Sequence, residues 1–171
     1  LYWGSSCLIF VLAQITATSR VFIDLPILTH FIANLLIIAA PLAAVLGIHA
    51  YNNREKYYLK RCLYLLLATA MLLFPMFQLG FDQFVTTAIL AFSFLYAANA
   101  LRRLNVERII HLVLLQLCFF IHSAIMFVQF GLLVMEHFNY IKADISQVFA
   151  IILISHIIIT TLTAMIWPLL M

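Results

Sequence analysis

The stretch IIHLVLLQLCFFIHSAIMFVQFGLLVM, residues 109–135, contains no Asp, Glu, Lys or Arg, and Arg108 and Glu136 bound it. As a helix it would be about 40 Å long at roughly 1.5 Å per residue, and the hydrocarbon core of a bilayer is only about 30 Å thick. The stretch therefore predicts a membrane-spanning helix. Its His122 and Gln129 share one face, which is expected to look toward protein or trapped water because lipid solvates neither side chain.

The rest of the chain repeats this pattern. Its 171 residues are 67% hydrophobic and only 9% charged, whereas roughly a quarter of the residues of a soluble domain are charged. We therefore predict an all-α integral membrane protein, a six-span helical bundle forming one transmembrane domain over residues 1–171. The spans are expected at about 1–19, 26–50, 60–80, 83–101, 108–135 and 146–170. The chain begins at Leu1 with no basic segment typical of a signal peptide, so we expect it to be part of a longer protein.

The basic residues predict the orientation of the spans. Seven of the nine Lys and Arg residues lie in the loops after the second and fourth runs, and only Arg20 and Lys142 lie elsewhere. Basic loops stay in the cytoplasm, so the loops at 54–61 and 102–108 are expected inside and those at 20–24, near 82 and at 136–144 outside. With six spans, both ends of the chain are then cytoplasmic.

The residues exclude several classes of function. There is no basic run interleaved with aromatics, which argues against nucleic-acid binding, and no nucleophile–base motif or Gly-rich phosphate loop, so we expect no enzyme activity from these residues. The three cysteines lie far apart and are typical of small apolar residues in helices. The six acidic residues fall at predicted ends or loops, which disfavours ion-coupled transport: Asp24, Glu55, Asp82, Glu107, Glu136 and Asp144.

Two histidines are the main candidates for a site. The last two runs are joined by a loop of only nine residues, so we expect the two spans to be antiparallel neighbours. His122 and His156 should then face the bundle interior and lie within about one helical turn of each other in membrane depth. They are interpreted either as structural or ligand-gating histidines, bonded to a hydroxyl or carbonyl of a neighbouring helix, or as ligands of a metal or a b-type haem. The bulky flanks Phe119–Ile121 and Ile157–Ile159 argue against the haem.

Further polar positions accompany the histidines. His156, Thr160 and Thr163 form a stripe on the last span, which indicates either interhelical hydrogen bonding or the lining of a polar cavity. His30 and Asn34, four residues apart, are predicted to face the bundle, and Pro41 is predicted to bend the same span.

Four short segments give a resemblance to a known class of membrane region. The chain is similar to the multi-span sensor regions that precede the output domains of bacterial GGDEF diguanylate cyclases and sensor histidine kinases. The segments that carry the similarity are Tyr2-Trp3-Gly4, opening a span that ends at Arg20; Leu25-Pro26, leading to Ala33-Asn34; Ala98-Asn99-Ala100-Leu101-Arg102-Arg103; and Phe119-Phe120-Ile121-His122-Ser123-Ala124. The resemblance implies a fragment of a seven-span unit in the bacterial inner membrane whose last span continues into a cytoplasmic signalling helix.

The expected function is therefore that of a sensory input module, a multi-pass homodimer in the lipid bilayer that passes a signal to an output domain, such as a cyclase or kinase, outside this chain. The predicted ligand-sensing cavity consists of Asn34, His122, Gln129, His156 and Thr160, and its expected ligand is a small apolar or amphipathic molecule, with no cofactor and no metal. The alternatives are an electron-transfer subunit with haem b bound by His122 and His156, and a structural subunit of a larger membrane complex.

Overall fold

The computed structural model describes residues 2–50, 55–103, 110–138, 140 and 146–166, and these ranges contain helices and turns but no strand. The α-helices are α1 (Tyr2–Thr18), α2 (Ala33–Ala50), α3 (Glu55–Gln78), α4 (Asp82–Arg102), α5 (Ile110–His137) and α6 (Ser146–Ile166). A short 3-10 turn, Ser19–Val21, follows α1, and a π-helical segment, Ile27–Ile32, leads directly into α2. The predicted all-α class is confirmed.

Four helical segments within the described ranges are long and apolar enough to cross a membrane: Ile27–Ala50, Lys56–Gln78, Asp82–Arg102 and Ile110–His137. Two further helices, Tyr2–Thr18 and Ala150–Ile166, are apolar but shorter. A helix of 17 residues such as α1 extends about 26 Å at roughly 1.5 Å per residue, slightly less than the hydrocarbon core. The chain is thus a helical membrane protein, while the count of six spans stays a prediction.

The helix boundaries differ from the predicted spans mainly at charged residues. We expected α3 to begin near residue 60, but it begins at Glu55, so Lys56, Lys60 and Arg61 lie in its first turns. Lys and Arg favour helices, and their long side chains extend from a helix end toward the membrane surface. Similarly, α5 continues through Glu136 to His137. The predicted loop segments 51–54, 104–109 and 141–145, and the predicted span end 167–170, lie outside the described residues.

The structure divides into two compact units, Leu1–Ile89 and Leu90–Met171. In the first unit α1 packs antiparallel on α2. The Ser6 hydroxyl donates a hydrogen bond of 2.7 Å to the carbonyl oxygen of Ala40, and the Trp3 indole lies against Gly47 so closely that a methyl group at residue 47 would overlap it. Every residue from Ala40 to Ile48 is buried. The small residues of this segment let α1 approach, as is common between membrane helices.

In the second unit, α5 packs against the second half of α4 and against α6. The Ser123 hydroxyl of α5 donates a hydrogen bond of 2.8 Å to the carbonyl oxygen of Ala91, and the rings of Phe92 and Phe127 meet edge to face with centroids 5.3 Å apart. These contacts hold the middle of α5 against α4. The single-domain organisation stays a prediction, because the two units are compact individually.

The apolar side chains on the outside suit a lipid environment. Large apolar side chains are exposed on several helices, among them Leu8 and Ile15 of α1, Leu67 and Met71 of α3, and Ile151 of α6. An aqueous protein would bury such residues, whereas lipid solvates them as well as the protein interior does. Pro41 lies inside α2, as the sequence requires, and the bend there stays a prediction.

Candidate functional site

The centre of the second unit is a stack of three rings around His122, which lies near the middle of α5 and is only 5% exposed. On one side its imidazole stacks on Phe94 of α4, with ring centroids 4.3 Å apart and planes 7° apart. On the other side it stacks on His156 of α6, with centroids 5.0 Å apart and planes 27° apart. Three helices therefore converge on this imidazole.

The antiparallel packing of α5 on α6 explains the proximity of the two histidines. Cys118, one turn before His122, lies close to Thr163, about two turns beyond His156. The contacts thus run in opposite directions along the two helices. The expected contact between the last two helices at His122 and His156 is observed, whereas the membrane depth of the two side chains stays a prediction.

Three buried polar atoms of this group lack a hydrogen-bond partner among the described residues: Nδ1 of His122, Nε2 of His156 and Oγ1 of Thr160. Thr160 follows His156 by four residues, so both lie on one face of α6. Buried polar atoms are nearly always hydrogen-bonded, so unpaired ones in an apolar helix bundle indicate a place for an ordered water or a polar ligand.

The Thr160 hydroxyl is unusual even within its own helix. Thr161 donates a hydrogen bond of 2.8 Å to the carbonyl oxygen of Ile157, and Thr163 one of 2.7 Å to that of Ile159. A helical threonine commonly satisfies its hydroxyl in this way, through the residue four positions earlier. Thr160 does not, so its hydroxyl remains available to a group outside its own helix.

The geometry of the stack determines which atoms of the site can bind a ligand. Ring stacking uses the faces of the imidazoles, whereas their nitrogen atoms lie at the ring edges and remain able to donate and accept hydrogen bonds. Two such nitrogens and one hydroxyl can hold one polar group of a small molecule, or an ordered water. A site with a few polar atoms among apolar side chains is typical of small-molecule binding.

The same geometry bears on the haem alternative. A haem iron held by two histidines requires the imidazoles on opposite faces of the porphyrin, with one nitrogen of each pointing at the metal. Rings stacked face to face with centroids 5.0 Å apart do not have this arrangement. In the conformation described, His122 and His156 therefore do not fit axial ligation of one haem.

The other two predicted cavity residues, Gln129 and Asn34, are not members of the ring stack. Gln129 is half-buried, two turns after His122 on α5. Asn34 belongs to the first unit, where its side-chain amide donates a hydrogen bond of 2.8 Å to the Asp82 carboxylate. The five predicted residues therefore contribute to more than one polar cluster, and their sensing role stays a prediction.

Sequence reasoning missed the burial of Asp82. We assigned this residue to an exposed loop, but it is the first residue of α4 and only 8% exposed. Its partner Asn34 is 48 positions away in the sequence, which explains why no local pattern revealed the contact. Thr86, four residues after Asp82 on the same helix face, is the one local signal that could have indicated a buried polar position.

Comparison of the chain with known protein families, with curated proteins and with solved structures finds no match.

Proposed function

We propose that the chain is the membrane-embedded sensory input module of a bacterial signalling protein, which transmits a signal to a cytoplasmic output domain outside this chain. The observation that carries the proposal is the stack of half-buried Phe94 and His156 on the buried ring of His122. Near this stack, two ring nitrogens and the Thr160 hydroxyl have no hydrogen-bond partner among the described residues. Polar groups inside membrane helices are costly, so their presence favours a functional role.

The ligand that suits this group is a small amphipathic molecule. Its polar end would exchange hydrogen bonds with His122, His156 and Thr160, while its apolar part would lie among side chains such as Phe119 and Ile159, which are buried in the same helices. Binding would satisfy polar atoms that are otherwise unpaired. It would thereby favour the arrangement of α5 and α6 in which these atoms converge, as a ligand-driven shift between two states requires.

The same proposal includes the arrangement of the chain in the membrane. Six spans would cross the bacterial inner membrane with both ends of the chain in the cytoplasm, as the distribution of Lys and Arg favours. The movement of α6 against α5 would then reach the cytoplasmic end of the chain and an output domain such as a cyclase or kinase. A homodimer would suit output domains of this kind, which act in pairs.

The experiment that tests the proposal uses the full-length protein in its natural host. The coding sequence beyond residue 171 should encode an output domain, and the activity of that domain should change in cells carrying His122→Leu or Thr160→Val. Thr161→Val is the matched control, because this exposed hydroxyl already bonds within its helix. Unchanged output with both His122→Leu and His156→Leu would remove the sensing role.

The haem-bearing electron-transfer subunit is the alternative function that the sequence suggested, and the stacked arrangement of the two histidines disfavours it. It requires the rings to rearrange from the stacked position, with their nitrogens turned toward an iron. Purified protein would then have a Soret band that either histidine variant bleaches. A protein without that band, but with an output that responds to the same variants, favours the sensory module.

A further inference from the structure

A second buried polar group lies in the first unit, at the turn between α3 and α4. Asp82 begins α4 and is only 8% exposed, and its Oδ2 accepts a hydrogen bond of 2.8 Å from the Asn34 side-chain amide. Asn34 is the second residue of α2 and directly follows the π-helical segment Ile27–Ile32. Such irregular helical segments are frequent at functional sites.

The carboxylate of Asp82 has no basic partner in this part of the protein. No Lys or Arg among the described residues forms an ion pair with it, and its one polar partner, Asn34, is neutral. The amino-terminal end of α4 supplies only a partial positive charge. A buried carboxylate is strongly unfavourable unless a full positive charge or a proton balances it.

The Thr86 hydroxyl adds an independent observation. Thr86 lies one turn after Asp82 on the same face of α4, is 6% exposed, and its Oγ1 has no hydrogen-bond partner among the described residues. The adjacent Thr87 is equally buried but donates a hydrogen bond of 2.7 Å to the carbonyl oxygen of Gln83. Two adjacent buried threonines of α4 therefore differ: the Thr87 hydroxyl bonds to its own helix, and the Thr86 hydroxyl does not.

These oxygens define the kind of ligand that the group would take. Carboxylate and hydroxyl oxygens bind hard cations, and there is no His or Cys in the group to favour a transition metal. A single carboxylate balances one positive charge, which favours a monovalent ion over Ca²⁺. The Asn34 amide binds Oδ2 of Asp82 and thereby orients the carboxylate, which leaves Oδ1 to bind a cation.

We propose that Asp82 and Thr86 bind a small monovalent cation such as Na⁺, with Asn34 positioning the carboxylate. Backbone carbonyls and water would complete the coordination, as is usual for hard cations. The proposed site shares no residue with the histidine stack, and its existence does not depend on the sensory role proposed above.

The test uses the purified chain in lipid nanodiscs at pH 8. The midpoint of thermal unfolding is measured as Na⁺ replaces choline at constant ionic strength. Wild type should become more stable with Na⁺ and saturate, because a ligand that binds only the folded state stabilises it. Asp82→Asn should lose this shift. Thr86→Val should need about tenfold more Na⁺ for half the shift, the effect of losing about 1.4 kcal/mol of binding.

Two controls keep the test decisive. Thr87→Val removes a neighbouring buried hydroxyl that is already hydrogen-bonded, so its Na⁺ dependence should match wild type. Thr86→Ser should restore most of the affinity lost in Thr86→Val, which keeps the proposal testable if Asp82→Asn does not fold. The proposal is overturned if Na⁺, K⁺ and Li⁺ act no differently from choline. It is also overturned if Asp82→Asn retains the Na⁺ shift, or if Thr86→Val and Thr87→Val respond alike.

Discussion

At the scale of single residues, the informative feature is the difference between hydroxyls that bond within their own helix and those that do not. Thr87, Thr161 and Thr163 each donate to a carbonyl four residues earlier. Thr86 and Thr160 have no hydrogen-bond partner among the described residues. Thr86 lies one turn from buried Asp82, and Thr160 lies one turn from half-buried His156. A hydroxyl left unpaired at such a position reduces stability, and we infer that it is retained for binding.

The first prediction concerns Thr160. Valine has nearly the same shape but no hydroxyl, so Thr160→Val removes an unpaired buried polar atom and should raise the free energy of unfolding without ligand by about 1 kcal/mol. Thr161→Val should change it by less than about 0.5 kcal/mol, because that side chain is exposed. Both values can be measured by denaturant titration in mixed micelles. A clear loss of stability in Thr160→Val would mean that its hydroxyl already has a strong partner.

The second prediction concerns His122. Leu has a similar volume but no polar atom, and the replacement removes one stacking contact on each ring face, worth about 0.5–1.5 kcal/mol per aromatic pair. We therefore expect the output of the full-length protein to change more than its accumulation in the membrane, measured by immunoblotting beside an activity assay. Equal loss of both in His122→Leu would indicate a purely structural histidine.

At the scale of helices, the pair α1–α2 depends on a glycine. The Trp3 ring occupies the space that a side chain at residue 47 would need, whereas a methyl group added at Gly4 or Gly131 would meet no atom within 4 Å. Trp3 lies at the start of the first predicted span, where aromatic side chains commonly anchor a helix at the membrane interface. Its contact with Gly47 shows that it also fixes how closely α1 approaches α2.

The third prediction follows from this contact. Gly47→Ala forces the Trp3 ring away and should lower the free energy of unfolding by about 1–3 kcal/mol, as overpacking of an interior does. Gly131→Ala should be neutral or stabilising by up to about 1 kcal/mol, because alanine favours a helix more than glycine does. The second change Trp3→Leu should recover part of the loss in Gly47→Ala, a non-additive result expected of residues in contact. Strict additivity would show that the two do not interact.

At the scale of the whole molecule, apolar side chains cover much of the surface and the charged ones cluster at helix ends. Lys56, Lys60 and Arg61 begin α3, and Arg102 and Arg103 end α4. Both helix ends are expected on the cytoplasmic side because basic residues are retained there. In this orientation the turn at Asp82 lies on the outer side of the membrane, so a cation would reach the proposed Asp82 site from outside the cell.

The fourth prediction tests that orientation. Single cysteines are introduced at Lys56, Leu79, Arg103 and Tyr140, all exposed side chains, in a variant without Cys7, Cys62 and Cys118. An impermeant maleimide added to intact cells should label residues 79 and 140, whereas residues 56 and 103 should react only after the membrane is opened. Labelling of residue 56 or 103 in intact cells, without labelling of 140, would reverse the topology.

The sequence by itself determined the helical membrane class and most helix positions. In lipid the backbone must satisfy its own hydrogen bonds, so a long charge-free run can form little else than a helix. The run at 109–135 therefore indicated α5, and the short connection before the next run indicated that His122 and His156 would be neighbours. The first inference rests only on the local composition of the run, and the second only on the length of the connection between the two runs.

Only the tertiary structure decided which polar atoms have partners. The pairing of Asn34 with Asp82 joins residues 48 positions apart, and the Trp3–Gly47 contact joins two helices. The spacing of residues in a sequence indicates the helix face on which a side chain lies. It does not indicate which atoms of other helices contact that side chain. The π-helical segment before Ala33 likewise depends on packing, because its residues Ile27–Ile32 would otherwise suit an ordinary α-helix. The burial of Asp82 and the unpaired hydroxyls of Thr86 and Thr160 follow from long-range packing, since hydrogen bonding depends on distances that local propensity does not specify.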